Sequence, residues 1–374
     1  MKIFSRGFAS ALTLAAVSAL GLIGAAHAAE EPVLYIDNWA DYIAPDTIAN
    51  FEKETGIKVT YDNFDSNEAL HTKLAVGMSG YDIVVPGSHF AKLQIQAGLL
   101  AKLDKSKIPN LVNLDPAIQA QLAKVDPGNE HLVDWLWGYT TVGINADLVK
   151  KALGTATLPA NAWDLVFKPE YASKLQECGI SMLDTASEVI PIALKYIGKN
   201  PRSGNPTDYA EAGKMLKAVR PYMKTFSGSG SDYIDQMATG QLCAVVGWSG
   251  DIMIAKKKSQ DAGKPQNLQV LLPKQGGLLF FDTMAIPKDA KHPNNAHKFI
   301  NYILRPQVDA SLTNAVFYAN PNKAAMQYVN PMLAKDKAVF PSAAALATMI
   351  PPDTPEPSTL RLITRTFTGF KTGQ

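Results

Sequence analysis

Cysteine is scarce, with two in 374 residues. Cys178 and Cys243 do not form a close pair, so a small disulfide scaffold, a structural zinc site and a Cys-x-x-Cys redox centre all lose their usual spacing. An excess of one charge is also missing. The chain has 36 Lys+Arg against 34 Asp+Glu, and Lys2 and Arg6 fall in the first 28 residues, so the remainder is balanced. A basic surface for nucleic acid or an anionic membrane is thereby excluded. Catalytic signatures are absent as well. Gly247-Trp248-Ser249-Gly250-Asp251 comes nearest to G-x-S-x-G but ends in Asp, and neither H-E-x-x-H, a P-loop nor a dinucleotide fingerprint occurs. The histidines after residue 28 (His71, His89, His131, His292 and His297) are widely spaced and form no metal motif. No cofactor or metal is expected.

Only one long apolar run is present, Leu12 to Ile23. It follows Lys2 and Arg6 and precedes the small-x-small pattern Ala26-His27-Ala28. This arrangement predicts a cleaved export signal over residues 1–28, with an uncleaved anchor as the alternative. The remaining chain, about 346 residues, exceeds what one core usually holds and predicts two domains. In an exported protein the even cysteine pair predicts a disulfide closing a loop of about 65 residues, contributing about 4 kcal/mol; two buried free thiols are the alternative.

The first hundred residues after the leader alternate strand and helix. Val33 to Ile36 is an apolar strand, Pro45-Asp46-Thr47 opens a helix carrying Ile48 and Phe51 that stops at Gly56, and Ile57 to Tyr61 alternates as a second strand. Ser66 caps a helix with Leu70, Leu74 and Met78 on one face, and Asp82 to Val85 reads as a buried strand. Such a βαβαβ unit predicts a parallel sheet covered by helices. A less regular alternation over 142–274, including Cys243 to Val246, Leu268 to Leu271 and a helical stretch from Ala210 to Val219, predicts a second α/β domain.

One pattern recurs beside predicted strands: an aromatic residue close to a carboxylate. It appears as Trp39-Ala40-Asp41-Tyr42, as Trp248-Ser249-Gly250-Asp251 and as Phe280-Phe281-Asp282. Strand ends in open parallel sheets face the ligand crevice, so the three segments are expected to converge. Aromatic faces together with carboxylates suit an alkyl ammonium. Four buried methylenes would contribute roughly 3 kcal/mol, and each charge-assisted hydrogen bond ~1.5 to 3 kcal/mol. Core packing for the rings and turn or cap roles for the aspartates are the competing readings.

These motifs, with Asn38 to Ile43, Tyr81 to Pro86 and Trp163 to Glu170, resemble the periplasmic polyamine-binding proteins of ABC importers, over about 33–370. Trp248 and the segment Val316 to Asn320 are most similar to the putrescine-binding members. The resemblance implies an α/β, two-lobed periplasmic solute-binding fold with a hinge and an interlobe ligand cleft. Lobe one would hold 31–139 and 278–320, and lobe two 142–274 and 325–374. It implies a monomer that is no enzyme and that delivers a polyamine to an ABC permease in the inner membrane. The ligand set it implies is Trp39, Asp41, Tyr42, Ser88, His89, Glu188, Trp248, Asp251, Phe280, Asp282 and Tyr318, and it pairs Cys178 with Cys243. Two departures bear on ligand length. Ala40 stands where putrescine binders usually carry Ser, and Gly87-Ser88-His89 replaces a Ser-x-Ser segment. His89 is expected to shorten the cavity and, when protonated, to weaken binding as pH falls between about 7.5 and 5.5. Spermidine, cadaverine or agmatine are the alternative ligands. An exported polyamine-processing enzyme is the alternative of a different class, for which no flavin, copper or pyridoxal site is evident.

Overall fold

Strand β1 (Val33–Trp39) lies at the centre of a three-stranded parallel sheet, between β2 (Lys58–Phe64) and β3 (Ile83–Val84). The computed structural model describes residues 30–374 apart from Ser229 and Asp353, and the leader expected over 1–28 lies outside the described residues. Pairing runs from Val33 opposite Lys58 to Trp39 opposite Phe64, which brings both aromatic residues to the same strand-end edge. The helix Thr47–Thr55 seals this sheet with Phe51, which is fully buried. Ser66 caps the helix Asn67–Val76 by accepting from the Ala69 amide at 3.1 Å, and Leu70 and Leu74 are buried as expected. Met78 is not. The helix ends at Gly77 before its stripe reaches Met78, which is 90% exposed.

A mixed sheet forms the second α/β unit, in the order β6 (Thr225–Ser227), β5 (Ile180–Leu183), β7 (Ala244–Trp248), β4 (Val133–Asn145), β8 (Leu268–Leu271). The strands β5, β6 and β7 are mutually parallel neighbours, and β4 runs antiparallel to both β7 and β8. All 13 residues of β4 are buried, because the strand serves two lobes in turn. Val133 to Thr140 pairs with β9 (Leu278–Met284), and Thr140 to Asn145 pairs with β7 and β8. At its far end β9 passes into the first sheet, where Ala285 and Val84 exchange backbone hydrogen bonds of 2.9 and 3.0 Å. After the helix Pro306–Val316 the chain pairs with the same strand, Ala319 and Trp137 exchanging bonds of 2.9 and 3.1 Å. The two-lobed fold is joined where β4 and β9 run side by side from one unit into the other, an arrangement about which a hinge turns.

Each lobe has its own apolar core. One runs through Leu34, Ile36, Phe51, Phe299, Ile300 and Leu312, the other through Val142, Trp163, Ile192, Leu216, Val245 and Phe367. Ala325 and Val329 are buried against Ala310 of the helix Pro306–Val316, and Leu333 and Phe340 pack on them. Apolar contact thus holds the segment on the first lobe until Ile350 bonds β9 through Leu279 and Gly277, at 2.8 Å each. The helix Pro357–Thr372 then buries Ile363, Phe367 and Phe370 in the second lobe. Cys178 and Cys243 are disulfide-bonded across 65 residues. Among the described residues no helix is long and apolar enough to cross a membrane.

Candidate functional site

The strand ends open onto one cavity between the lobes. Trp39 is the last residue of β1 and Trp248 the last of β7, and their rings meet edge-on across the cleft, 6.4 Å apart and inclined at 61°. Phe280 and Asp282 arrive differently. They lie inside β9, two residues apart and therefore on one face, while Phe281 between them turns to a separate apolar cluster with Trp137. The first lobe and β9 supply Trp39, Ala40, Asp41, Tyr42, Phe64, Asp65, Asn67, Gly87, His89, Phe280, Asp282 and Tyr318. The second lobe supplies Glu188, Ser231, Ile234, Trp248 and Asp251.

Side chains behind the cavity hold these groups in place. The Trp39 indole N–H donates to the Val85 carbonyl at 2.9 Å, and its ring packs on Phe64 at 4.5 Å. Asp41 follows in a left-handed backbone conformation (φ 54°), one that Asp tolerates better than most residues, and it sits exposed at the mouth. Tyr42 donates to Asp282 at 3.0 Å. The Trp248 indole N–H donates to Glu188 at 3.0 Å, and Thr140 donates to the same carboxylate. Asp251 accepts from Tyr318 at 2.5 Å and from Tyr233 at 2.7 Å. Tyr318 lies flat on Gly250, where any Cβ would come within 2.3 Å of its ring, so the glycine lets the first-lobe tyrosine reach the second-lobe aspartate. Thr354, on the strap before the final helix, donates to the His89 carbonyl at 2.6 Å and ties the lobes at a second point.

Among the described residues no Lys or Arg lines the cavity, so its carboxyl groups have no counter-charge from them. Burial dominates their titration. It pushes Asp282 up to about 8, with the Tyr42 hydroxyl opposing and the charges of Glu188 and Asp251 adding. Glu188 rises to about 7 against hydrogen bonds from Thr140 and Trp248, and Asp251 rises to about 6 against those from Tyr318 and Tyr233. Burial and the adjacent carboxylates hold Tyr42, Tyr233 and Tyr318 well above the ordinary phenol range, so they remain donors. An acidic cleft walled by aromatic rings stabilises cations and disfavours anions. Among the described residues no cluster of three or more His, Cys, Asp or Glu could hold a metal ion.

Comparison with known proteins fits this arrangement. The profile of the family described as "Bacterial extracellular solute-binding protein" matches residues 46–341. The chain belongs to that family. It is 43% identical over 364 residues to the putrescine-binding periplasmic protein SpuD of Pseudomonas aeruginosa, covering 97% of this chain and 98% of that protein. It is also 43% identical over 348 residues to the putrescine-binding periplasmic protein PotF of Escherichia coli, covering 93% of each. The solved structure of the spermidine/putrescine ABC transporter substrate-binding protein PotD of Streptococcus pneumoniae superposes with a TM-score of 0.75 at 29% identity, covering 91% of this chain and 99% of that one. The family is one of solute-binding proteins, and the chain is a binding protein and not an enzyme.

Ten of the eleven residues expected at the site line the cavity: Trp39, Asp41, Tyr42, His89, Glu188, Trp248, Asp251, Phe280, Asp282 and Tyr318. Ser88 does not. It is the first residue of the helix Ser88–Gln96 and is fully buried away from the cavity. The pH behaviour expected of His89 is corrected as well, because burial pushes its imidazole down to about 4 and leaves it neutral across the range 5.5–7.5. Phe64-Asp65 at the end of β2 repeats the aromatic–acid pattern, with Phe64 beyond the expected strand end at Tyr61. Tyr233, which grips Asp251, carries no such signal; it lies 18 residues earlier in the chain.

Proposed function

We propose that this solute-binding protein captures a polyamine in the interlobe cleft, with putrescine bound in preference to spermidine, and presents it to the permease of an ABC importer in the inner membrane. The observation that carries the reading is the three buried carboxyl groups of Glu188, Asp251 and Asp282, converging among aromatic rings with no basic side chain beside them. A diamine supplies the missing charge at each end and an alkyl chain for the rings between. Ligand length rests on the neutral His89 ring in the cavity wall and on the approach of Trp39 to Trp248, which narrow the space between the lobes. The two relatives named for putrescine alone share 43% of residues with this chain, against 34% for the spermidine/putrescine-binding periplasmic protein of Escherichia coli.

The protein works as a periplasmic monomer, exported by the 1–28 leader. Its first lobe comprises about 31–139 and 278–341, and its second about 142–274 and 342–374. The lobe limits draw on the separate cores and on Ala325 and Val329 packing against Ala310. Calorimetric titration of unfolded and refolded protein with putrescine, cadaverine, agmatine and spermidine tests the reading, since refolding frees the site of carried-over ligand. Saturable binding with putrescine tightest is expected. Absence of binding to every member of the series at millimolar concentration overturns the function, and tighter binding of spermidine overturns the length preference alone.

A further inference from the structure

We infer that Tyr233 is a positioning residue for the ligand site, holding Asp251 aimed and ionised whether the cleft is open or closed. The inference rests on the polyamine reading for its functional meaning but on local geometry for its substance. Tyr233 is fully buried in the helix Gly230–Ala238 and does not line the cavity. Its hydroxyl accepts from the Trp248 backbone N–H at 2.9 Å, which leaves its own proton directed to Asp251 Oδ2 at 2.7 Å. One hydroxyl thus fixes the chain at Trp248 and the carboxylate at Asp251, both on the ligand-facing side of the second lobe. Gly247 makes the approach possible, since a Cβ there would lie 2.9 Å from the Tyr233 hydroxyl and ring.

The other donor to Asp251 has a different allegiance. Tyr318 reaches Oδ1 from the first lobe, so its bond depends on closure, whereas Tyr233, Trp248 and Asp251 all belong to the second lobe. Around Asp251 stand the carboxyl groups of Asp41, Glu188 and Asp282; burial and the Asp41 charge oppose its ionisation, and the two tyrosine hydroxyls favour it. Opening removes the Tyr318 bond and leaves Tyr233 as the hydroxyl that keeps Asp251 ready for a cation.

The test is Tyr233→Phe. In ligand-free protein, the carboxyl carbon of Asp251, assigned by its loss in Asp251→Asn, is followed by NMR against pH. Removal of the donor should raise its midpoint by about one unit. Putrescine affinity at pH 7 should fall about tenfold, with a larger loss at pH 6 than at pH 8. In the Asp251→Asn background the same change should cost little and show no pH dependence. If Tyr233→Phe does not fold, 3-fluorotyrosine at 233 keeps the hydroxyl as a stronger donor and should lower the midpoint. An unchanged midpoint in the folded variants, or equal losses in both backgrounds, overturns the inference. Should wild type bind no polyamine, the functional reading falls, and the ligand-free titration still decides the role of Tyr233.

Discussion

Binding of a diamine should expel protons from the site, and the number follows from the three buried carboxyl groups. At pH 7, Asp282 (about 8) is roughly nine-tenths protonated, Glu188 (about 7) roughly half and Asp251 (about 6) roughly one-tenth. The empty trio therefore carries about 1.5 protons, a property of the three groups together. A bound dication stabilises each ionised form, so these protons leave on binding, and affinity should rise about 30-fold between pH 6.5 and 7.5. The ligand contributes nothing to this slope, because alkyl ammonium groups titrate near 10.4, as lysine does. His89 contributes nothing either, since burial keeps it neutral throughout the window. Calorimetry at pH 7 in phosphate and in Tris reads the proton count directly from the dependence of the observed heat on buffer ionisation. An enthalpy independent of buffer, with an affinity flat across pH 6.5 to 7.5, would refute the reasoning.

The same groups set the pH dependence of stability. Their raised values mean that the ligand-free fold binds more protons than the unfolded chain, so its melting temperature should fall as pH rises from about 4 through 8, and the increment from putrescine should grow over that range. Asp251→Asn and Asp282→Asn should each weaken binding by roughly 2 to 4 kcal/mol at pH 8, with the Asp282 effect shrinking toward pH 6 as the wild-type carboxyl takes up its proton; equal binding by both variants and wild type in calorimetry would remove them from the site. Cys178→Ser should lower stability by about 4 kcal/mol in denaturant titrations while leaving affinity nearly unchanged, and full alkylation of native protein without reductant would show that the bridge is not formed. Thr354→Val should speed ligand release several-fold by removing the tie to the His89 carbonyl, and Thr354→Ser should restore it; identical off-rates in stopped flow would rule out that role. His89→Ser should relax discrimination against spermidine without altering the pH profile between 5.5 and 7.5.

Periodicity exposed what depends on neighbours in the chain. The βαβαβ start, the Ser66 cap and the strand-end positions of Trp39 and Trp248 all follow from local pattern, and each stands in the structure. Met78 marks the limit: the i, i+4, i+8 stripe was present, but Gly77 ended the helix first, and residue spacing does not show where a helix stops being one. The segment after 325 shows a similar limit. Ala325 and Val329 are as apolar as any second-lobe core residue, and only their seat on Ala310 decides which lobe they join.

The site divides along the same line. Trp39, Asp41, Trp248, Asp251, Phe280 and Asp282 were legible because each aromatic residue travels with its own carboxylate, so a short segment carries both halves of the chemistry. Groups that tune those carboxylates come from elsewhere: Thr140 from β4 to Glu188, Tyr42 to Asp282 across 240 residues, Tyr233 to Asp251 across 18. A hydroxyl donor acts through a single contact and leaves no period in the sequence. The charge state of the site is therefore a tertiary property. His89 shows the consequence, since its residue type suggested a switch near neutral pH, whereas its burial in the cleft wall moves that switch down to about 4 and makes the ring a neutral spacer. Response to pH passes instead to Glu188 and Asp282, whose residue type alone would place them far below neutrality and whose burial brings them to about 7 and about 8.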